Sequence, residues 1–190
     1  MRKISAKLVF LTTLIWDVLV CQVIRRQNWW DEVEPNLILG AFPTSSSVKR
    51  LSELGVCAVV NMCDEFAGPA QEYAQFGIDQ LKIPTVDFSE PLTDEIQRAI
   101  DYINRHRGKP GSVFVHCKSG RGRSATVVLC WLIQEHDLSP EAAQLRLQKR
   151  RGQVLKNLFQ RRCVQQFLRS KSNLNRTNIT PAHCKSKAVQ

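Results

Sequence analysis

Two stretches of this chain are apolar almost without a break, GVCAVVNM at 55–62 and GSVFVH at 111–116. Runs this short and continuous fit strands buried on both faces, as in a parallel sheet covered by helices. Helical patterns stand where the crossovers of such a sheet must run. Ile96, Ala99, Ile100 and Ile103 recur at i, i+3, i+4 and i+7, which gives one apolar helix face. Thr93 stands at its start as the cap, with Asp94 and Glu95 in the first turn where the helix dipole favours acids. ATVVLCWLIQEH at 125–136 reads as an apolar helix, and Ser139 caps another that Pro140 opens and that runs to about Arg150. IDQLKIPT at 78–85 alternates as a strand does, and LILG at 37–40 is a short strand before a turn at Gly40 and Pro43. Brief helices are expected over 48–54 and 69–76, and a last amphipathic one over 160–169. Residues 25–46 otherwise read as the entrance to the domain. The expected class is α/β, with a mainly parallel central sheet flanked by helices.

At 190 residues the chain is long enough for one such domain with extensions. Its net charge of +10 is lopsided. The first 141 residues carry 15 Lys/Arg against 17 Asp/Glu, whereas the last 49 carry 12 Lys/Arg and no acid. A basic end suits an anionic surface such as membrane lipid, or is simply a solvated tail. No RNA-binding motif or zinc-finger spacing accompanies the charge, so no nucleic-acid partner is expected. Seven cysteines, an odd number with no CxxC, read as free thiols in a reducing compartment. Two adjacent glycosylation sequons at Asn175 and Asn178 point the other way and carry little weight. At the amino end Arg2, Lys3 and Lys7 precede LVFLTTLIWDVLVC, an apolar run short for a bilayer span and interrupted by Asp17. It fits a secretory signal, a mitochondrial presequence or a membrane-anchoring helix, and the absence of early acids favours mitochondrial import. The expected organisation is a targeting or anchoring segment over 1–28, a catalytic domain over 29–170 and a basic, irregular tail over 171–190.

Between the strand ending at His116 and the helix that follows lies CKSGRGR, residues 117–123. A loop between a buried strand and a helix start aims several backbone N–H groups into one concavity, to which the helix adds its positive end. Gly120 and Gly122 permit backbone angles that expose those amides and leave room for an anion. Arg123 offers a planar fork for two phosphate oxygens. Together with Lys118, Ser119 and Arg121 this makes a cradle for a tetrahedral dianion. A thiol on its floor is held as thiolate by the same field, and Cys117 becomes a nucleophile aimed at phosphorus. His116 is expected to hold the loop rather than act as base, and Ser124 to donate a hydrogen bond to the leaving thiolate. Such a reaction needs an acid to protonate the departing alkoxide. Asp87, thirty residues upstream in the proline-bracketed PTVDFSEP, is the candidate, with Glu90 as the alternative. Neither a metal nor another cofactor enters this chemistry. A buried core cysteine in a glycine turn is the bland alternative, but an apolar core would not gather Lys118, Arg121 and Arg123 around a thiol.

These residues resemble the cysteine-dependent phosphatases, whose signature HCxxGxxR[ST] reads here His116-Cys-Lys-Ser-Gly-Arg-Gly-Arg-Ser124. HCKSGRGRSAT, the upstream WWDEVEPNLILGAFP and the VDFSEP loop look like the mitochondrial dual-specificity phosphatase family, which includes phosphatidylglycerophosphate phosphatases. The resemblance covers about residues 29–150. It implies Cys117 as nucleophile, Arg123 as phosphate clamp, Asp87 as general acid and Ser124 as the thiolate's partner. It also implies that Lys118 and Arg121 favour acidic head groups. The family's acidic segment after the second strand is only partly matched by Cys63-Asp-Glu-Phe66, and nothing after Arg150 aligns. The implied substrate is an anionic phospholipid, with a phosphoprotein or a phosphoinositide as alternatives, and the implied location a mitochondrial membrane, with cytoplasm or another membrane as alternatives. A catalytically silent phosphate-binding module and a rhodanese or arsenate reductase are the competing classes. The first is disfavoured by the intact Cys117, Arg123 and Asp87, the second by the paired glycines and terminal Arg-Ser.

Overall fold

A computed structural model describes residues 28–107 and 109–178. The expected targeting segment at the amino end and the last part of the basic tail lie outside the described residues, as does the end of the sequon that starts at Asn178. Five strands form one sheet in the order β1-β2-β5-β3-β4. They are β1 (Trp30–Glu34), β2 (Leu37–Gly40), β3 (Val56–Cys63), β4 (Asp79–Thr85) and β5 (Ser112–His116). β2, β5, β3 and β4 run parallel, and β1 pairs antiparallel with β2 at one edge. The α/β class and its mainly parallel sheet are therefore as expected.

Helices α1 (Ser45–Glu53) and α2 (Ala70–Gln75) cover one face of the sheet. α3 (Thr93–Arg107), α4 (Arg123–His136), α5 (Pro140–Arg150) and α6 (Arg162–Asn178) pack on the other. The pleat sorts the side chains. Ile38, Val59 and Phe114 join Val48, Leu51 and Tyr73 in the smaller core under α1 and α2. Leu37, Leu39, Val60, Val113 and Val115 join the larger core with α3 to α6. α4 is buried from Arg123 through Ile133, so it is the central helix of that layer.

Three departures have physical reasons. β1 lies in the expected entrance segment, where WDEVE carries three acids and its alternation is broken by a bulge between Glu32 and Glu34. Charge on an edge strand discourages pairing with other chains and also hides the strand from a hydrophobicity reading. Thr93 is the first residue of α3 rather than its cap. The Glu95 carboxylate accepts the Leu92 N–H at 2.8 Å, so a residue three positions on closes the helix start. α6 continues to Asn178, so residues 171–178 are helical where an irregular tail was expected. Ser139 does cap α5, its hydroxyl accepting from the Ala142 N–H at 3.2 Å.

Candidate active site

The parallel strands bring their carboxyl ends to one edge, the usual ligand position in an open α/β sheet. β3 delivers Cys63 and the following Glu65, β4 delivers Thr85 and the following Asp87, and β5 delivers His116 and Cys117. Arg123 and Ser124 lie in the first turn of α4, two residues earlier than the apolar pattern suggested.

The loop between β5 and α4 is held from outside by its carbonyls. The Lys118 carbonyl accepts from the Phe42 N–H at 3.1 Å, and the Arg121 carbonyl from the Leu155 N–H at 3.0 Å. The Ser119 and Gly120 carbonyls accept from Arg151, each at 3.1 Å. The Gly122 carbonyl accepts from the Thr126 N–H at 2.8 Å and from its hydroxyl at 2.9 Å. With the carbonyls drawn outward, the amides are left to the concave side. Arg151 is itself fixed by Asp31 at 2.6 Å and is almost fully buried, so a side chain from the end of α5 supports the loop. Gly120 sits at φ 68°, and a Cβ there would come within 2.5 Å of the Gly40 backbone. Gly122 has φ −116°, which other residues adopt, so its expected role in exposing amides through special angles does not apply. What it leaves open is space beside Arg161, as described below.

Cys117 forms the floor of a cleft of about 310 Å³ lined also by Asp87, Phe88, Lys118, Ser119, Arg121, Gly122, Arg123 and Arg161. Burial acts to raise the Cys117 thiol, but the Arg123 charge, the Ser124 hydroxyl and the N–H groups of Ser124 and Gly120 outweigh it and lower the pKa. The Ser124 hydroxyl donates to Cys117 Sγ at 3.2 Å. His116 is fully buried, stacked on Phe114, with Nδ1 3.4 Å from the Cys117 carbonyl. Burial pushes its pKa down to about 3, so the imidazole is neutral and does not act as a cationic partner for the thiolate.

Arg123 is clasped on both sides. Nη1 donates to Glu65 at 2.9 Å and to the Thr85 carbonyl at 2.7 Å, and Nη2 donates to Asp87 at 2.8 Å. Lys118 pairs with the second oxygen of Asp87. Glu65 also accepts the Asp87 N–H at 2.6 Å, and with its carboxylate only 3% exposed it ties the acid loop to the clamp. The structure thus brings Cys117, Arg123, Asp87, Ser124, Lys118, Ser119, Gly120, Arg121 and Gly122 together, with His116 behind them. Glu90 is elsewhere, accepting the Cys163 N–H at 3.0 Å near the start of α6.

Sequence reasoning passed over four contributors. Glu65 lay in the acidic segment judged only partly similar, and its signal was an acid two residues past a buried strand. Arg151 was one of four basic residues within six positions, 146–151. Phe88, 79% exposed at φ 64° on the rim, stood next to the acid candidate. Arg161 lay in the stretch that aligned with nothing.

A family model for the catalytic domain of dual specificity phosphatases matches residues 37–170. Phosphatidylglycerophosphate phosphatase PTPMT1 of Arabidopsis thaliana is 34% identical over 182 residues, which are 94% of this chain and 54% of that protein. This chain therefore spans about half the length of that relative. Phosphatidylglycerophosphatase and protein-tyrosine phosphatase 1 of Homo sapiens is 32% identical over 158 residues, covering 78% of this chain and 79% of that one. Among solved structures, PTPMT1 in complex with PI(5)P is similar with a TM-score of 0.68 and 28% identity, covering 79% of this chain and 99% of that one. A matched model over most of the described domain, relatives above 30% identity and a phosphate cradle built around a thiol place this chain in the dual specificity phosphatase catalytic-domain family.

Proposed function

We propose that this protein is a metal-independent phosphomonoester hydrolase that acts on a membrane phospholipid, phosphatidylglycerophosphate being the leading candidate. The observation that carries the chemistry is a buried thiol whose pKa is lowered by Arg123, Ser124 and loop amides at the floor of a basic cleft. The substrate class is supported by the activities in the names of the Arabidopsis thaliana and Homo sapiens relatives and by the phosphoinositide in the PTPMT1 complex.

In this reading the monoester phosphate seats between the loop amides and the Arg123 fork, which stabilise charge on its three peripheral oxygens. The Cys117 thiolate attacks phosphorus. An S–P bond forms as the P–O bond breaks, and Asp87 gives its proton to the departing alkoxide. An incoming phosphate competes with Asp87 for Arg123 and Lys118, which loosens the carboxylate from its two cations. In the second step Asp87 takes a proton from water, water attacks phosphorus, and the Ser124 hydroxyl steadies the departing thiolate. Ser119, Gly120, Arg121 and Gly122 serve substrate binding, and His116 packs behind the loop.

The amino-terminal segment is read as a mitochondrial targeting or anchoring element and the basic end as a contact for anionic lipid. Among the described residues no helix is long and apolar enough to cross a membrane. The rival reading is a protein phosphatase, which the second activity in the name of the Homo sapiens relative favours. Vesicles containing phosphatidylglycerophosphate, vesicles containing phosphoinositide and phosphopeptides, offered to the same purified protein, separate the three. A clear preference for phosphopeptides defeats the lipid reading. Lipid mass spectrometry after gene deletion gives the cellular answer, an accumulated phosphorylated precursor being the expected result.

A further inference from the structure

The catalytic cleft has two basic walls, and the chemistry above uses one. On that side Lys118 and Arg123 share Asp87, and Arg123 also pairs with Glu65. On the other stands Arg161, just after the 3-10 turn Leu158–Gln160 and before α6. Its Nη1 donates to Thr126 Oγ1 at 3.2 Å, while Thr126 directs its own proton to the Gly122 carbonyl. The two terminal guanidinium nitrogens lie 3.4 and 3.9 Å from where a Cβ would stand on Gly122, and Leu155 Cδ1 lies 3.5 Å from the same point. Arg161 therefore flanks the loop at the glycine that leaves the cleft open. Among the described residues no carboxylate forms an ion pair with it. Glu90, close by in the fold, is engaged with the Cys163 N–H.

A guanidinium held at one corner, facing a cleft and set apart from the carboxylates that neutralise the other wall, is suited to a second anion. We propose that Arg161, set against Gly122 with Leu155 beside it, binds a second phosphate of the substrate: a phosphodiester joined through a short polyol to the monoester held over Cys117. This rests on the lipid-headgroup reading above and deepens it. The bare Gly122 gives the polyol a path along the loop. The planar fork matches the two non-bridging oxygens of a diester, which stays anionic at any physiological pH.

The test compares three water-soluble substrates on the full chain. They are the deacylated headgroup of phosphatidylglycerophosphate, with a monoester and a diester, glycerol 3-phosphate, with the monoester alone, and an aryl phosphate. Wild type is expected to prefer the headgroup over glycerol 3-phosphate by about tenfold or more in kcat/KM. Arg161→Gln keeps a donor for Thr126 and removes the charge. It is expected to raise KM for the headgroup by about 10- to 100-fold with kcat nearly unchanged, and to leave the single-phosphate substrates within about twofold. Arg161→Lys keeps the charge without the fork and is expected to raise the same KM by a smaller factor, so the idea stays testable if the Gln variant folds poorly. Equal losses on all three substrates would show that Arg161 only supports the loop or the first phosphate, and would overturn the proposal. So would an unchanged headgroup KM, or a loss confined to a doubly phosphorylated peptide. The two readings can fail separately. Headgroup preference lost in Arg161→Gln, with intact lipid ignored in vesicles, sustains the second-phosphate site and sinks the lipid substrate. Lipid turnover unaffected by Arg161→Gln does the reverse.

Discussion

Cys117 and Cys130 belong to the same strand–loop–helix unit, and both are shut away from solvent. Cys130 lies in the apolar middle of α4, where burial drives its thiol far above the ordinary range. Cys163, at the start of α6, is raised to about 12, by burial first and then by Glu90. Cys117 goes the other way, because a guanidinium, a hydroxyl and two amides converge on its sulfur. Burial alone silences a thiol. Burial within an organised positive field activates one, because the same exclusion of water that penalises charge also strengthens each dipole aimed at it. Cys63 makes the contrast sharper. Burial first, and then the nearby Cys117 thiolate and Glu65, push it up, although Arg123 pulls the other way.

The largest effect expected from breaking this contrast is at the nucleophile. Cys117→Ser should abolish turnover yet retain substrate, because the amides survive, and equilibrium binding of a slow substrate to the inactive variant checks this. Cys130→Ala should leave kcat unchanged and cost about 1–2 kcal/mol in a denaturant melt, as a small core cavity does. Loss of activity in the second variant without loss of fold would break the distinction between the two sulfurs.

Asp87→Asn should slow hydrolysis by about 10²- to 10⁴-fold when the leaving group is an alkoxide and much less when it is an acidic phenol, since a phenolate needs no proton. Equal losses on the two substrates would argue that Asp87 only balances Lys118 and Arg123. Glu65→Gln keeps the shape but removes the buried charge behind the clamp, and should cost about 10- to 100-fold in kcat/KM. Ser124→Ala should slow the second step by about tenfold, so that rapid mixing with an aryl phosphate reveals a burst of phenolate absent from wild type.

Which parts of this design the sequence disclosed follows from how far each interaction reaches along the chain. The loop from His116 to Ser124 could be read directly, because one strand, one turn and one helix start bring its groups together locally. The buried strands β3 and β5 were equally plain, since two covered faces leave an unbroken apolar run. Glu65 meets Arg123 across 58 positions of sequence, and Arg151 reaches Asp31 across 120, so neither contact leaves a local pattern. Arg161 depends on the turn after α5, which has no periodicity to anchor it. β1 was hidden by its own acids and bulge. Glu90 lay near the acid candidate in sequence, yet the fold turned it to the α6 terminus.

The central claim is that the field around Cys117, rather than exposure, ionises its sulfur. Alkylation by iodoacetamide, followed cysteine by cysteine by mass spectrometry across pH, measures this directly. A lowered pKa means that reaction at Cys117 persists below the pH at which an ordinary thiol stops reacting, and fades only below its depressed midpoint. The account predicts a midpoint below the ordinary thiol value of about 8.5, moving upward in Arg123→Gln, while Cys130 stays unreactive throughout. A Cys117 midpoint at or above the ordinary value, or one indifferent to loss of the Arg123 charge, would contradict it.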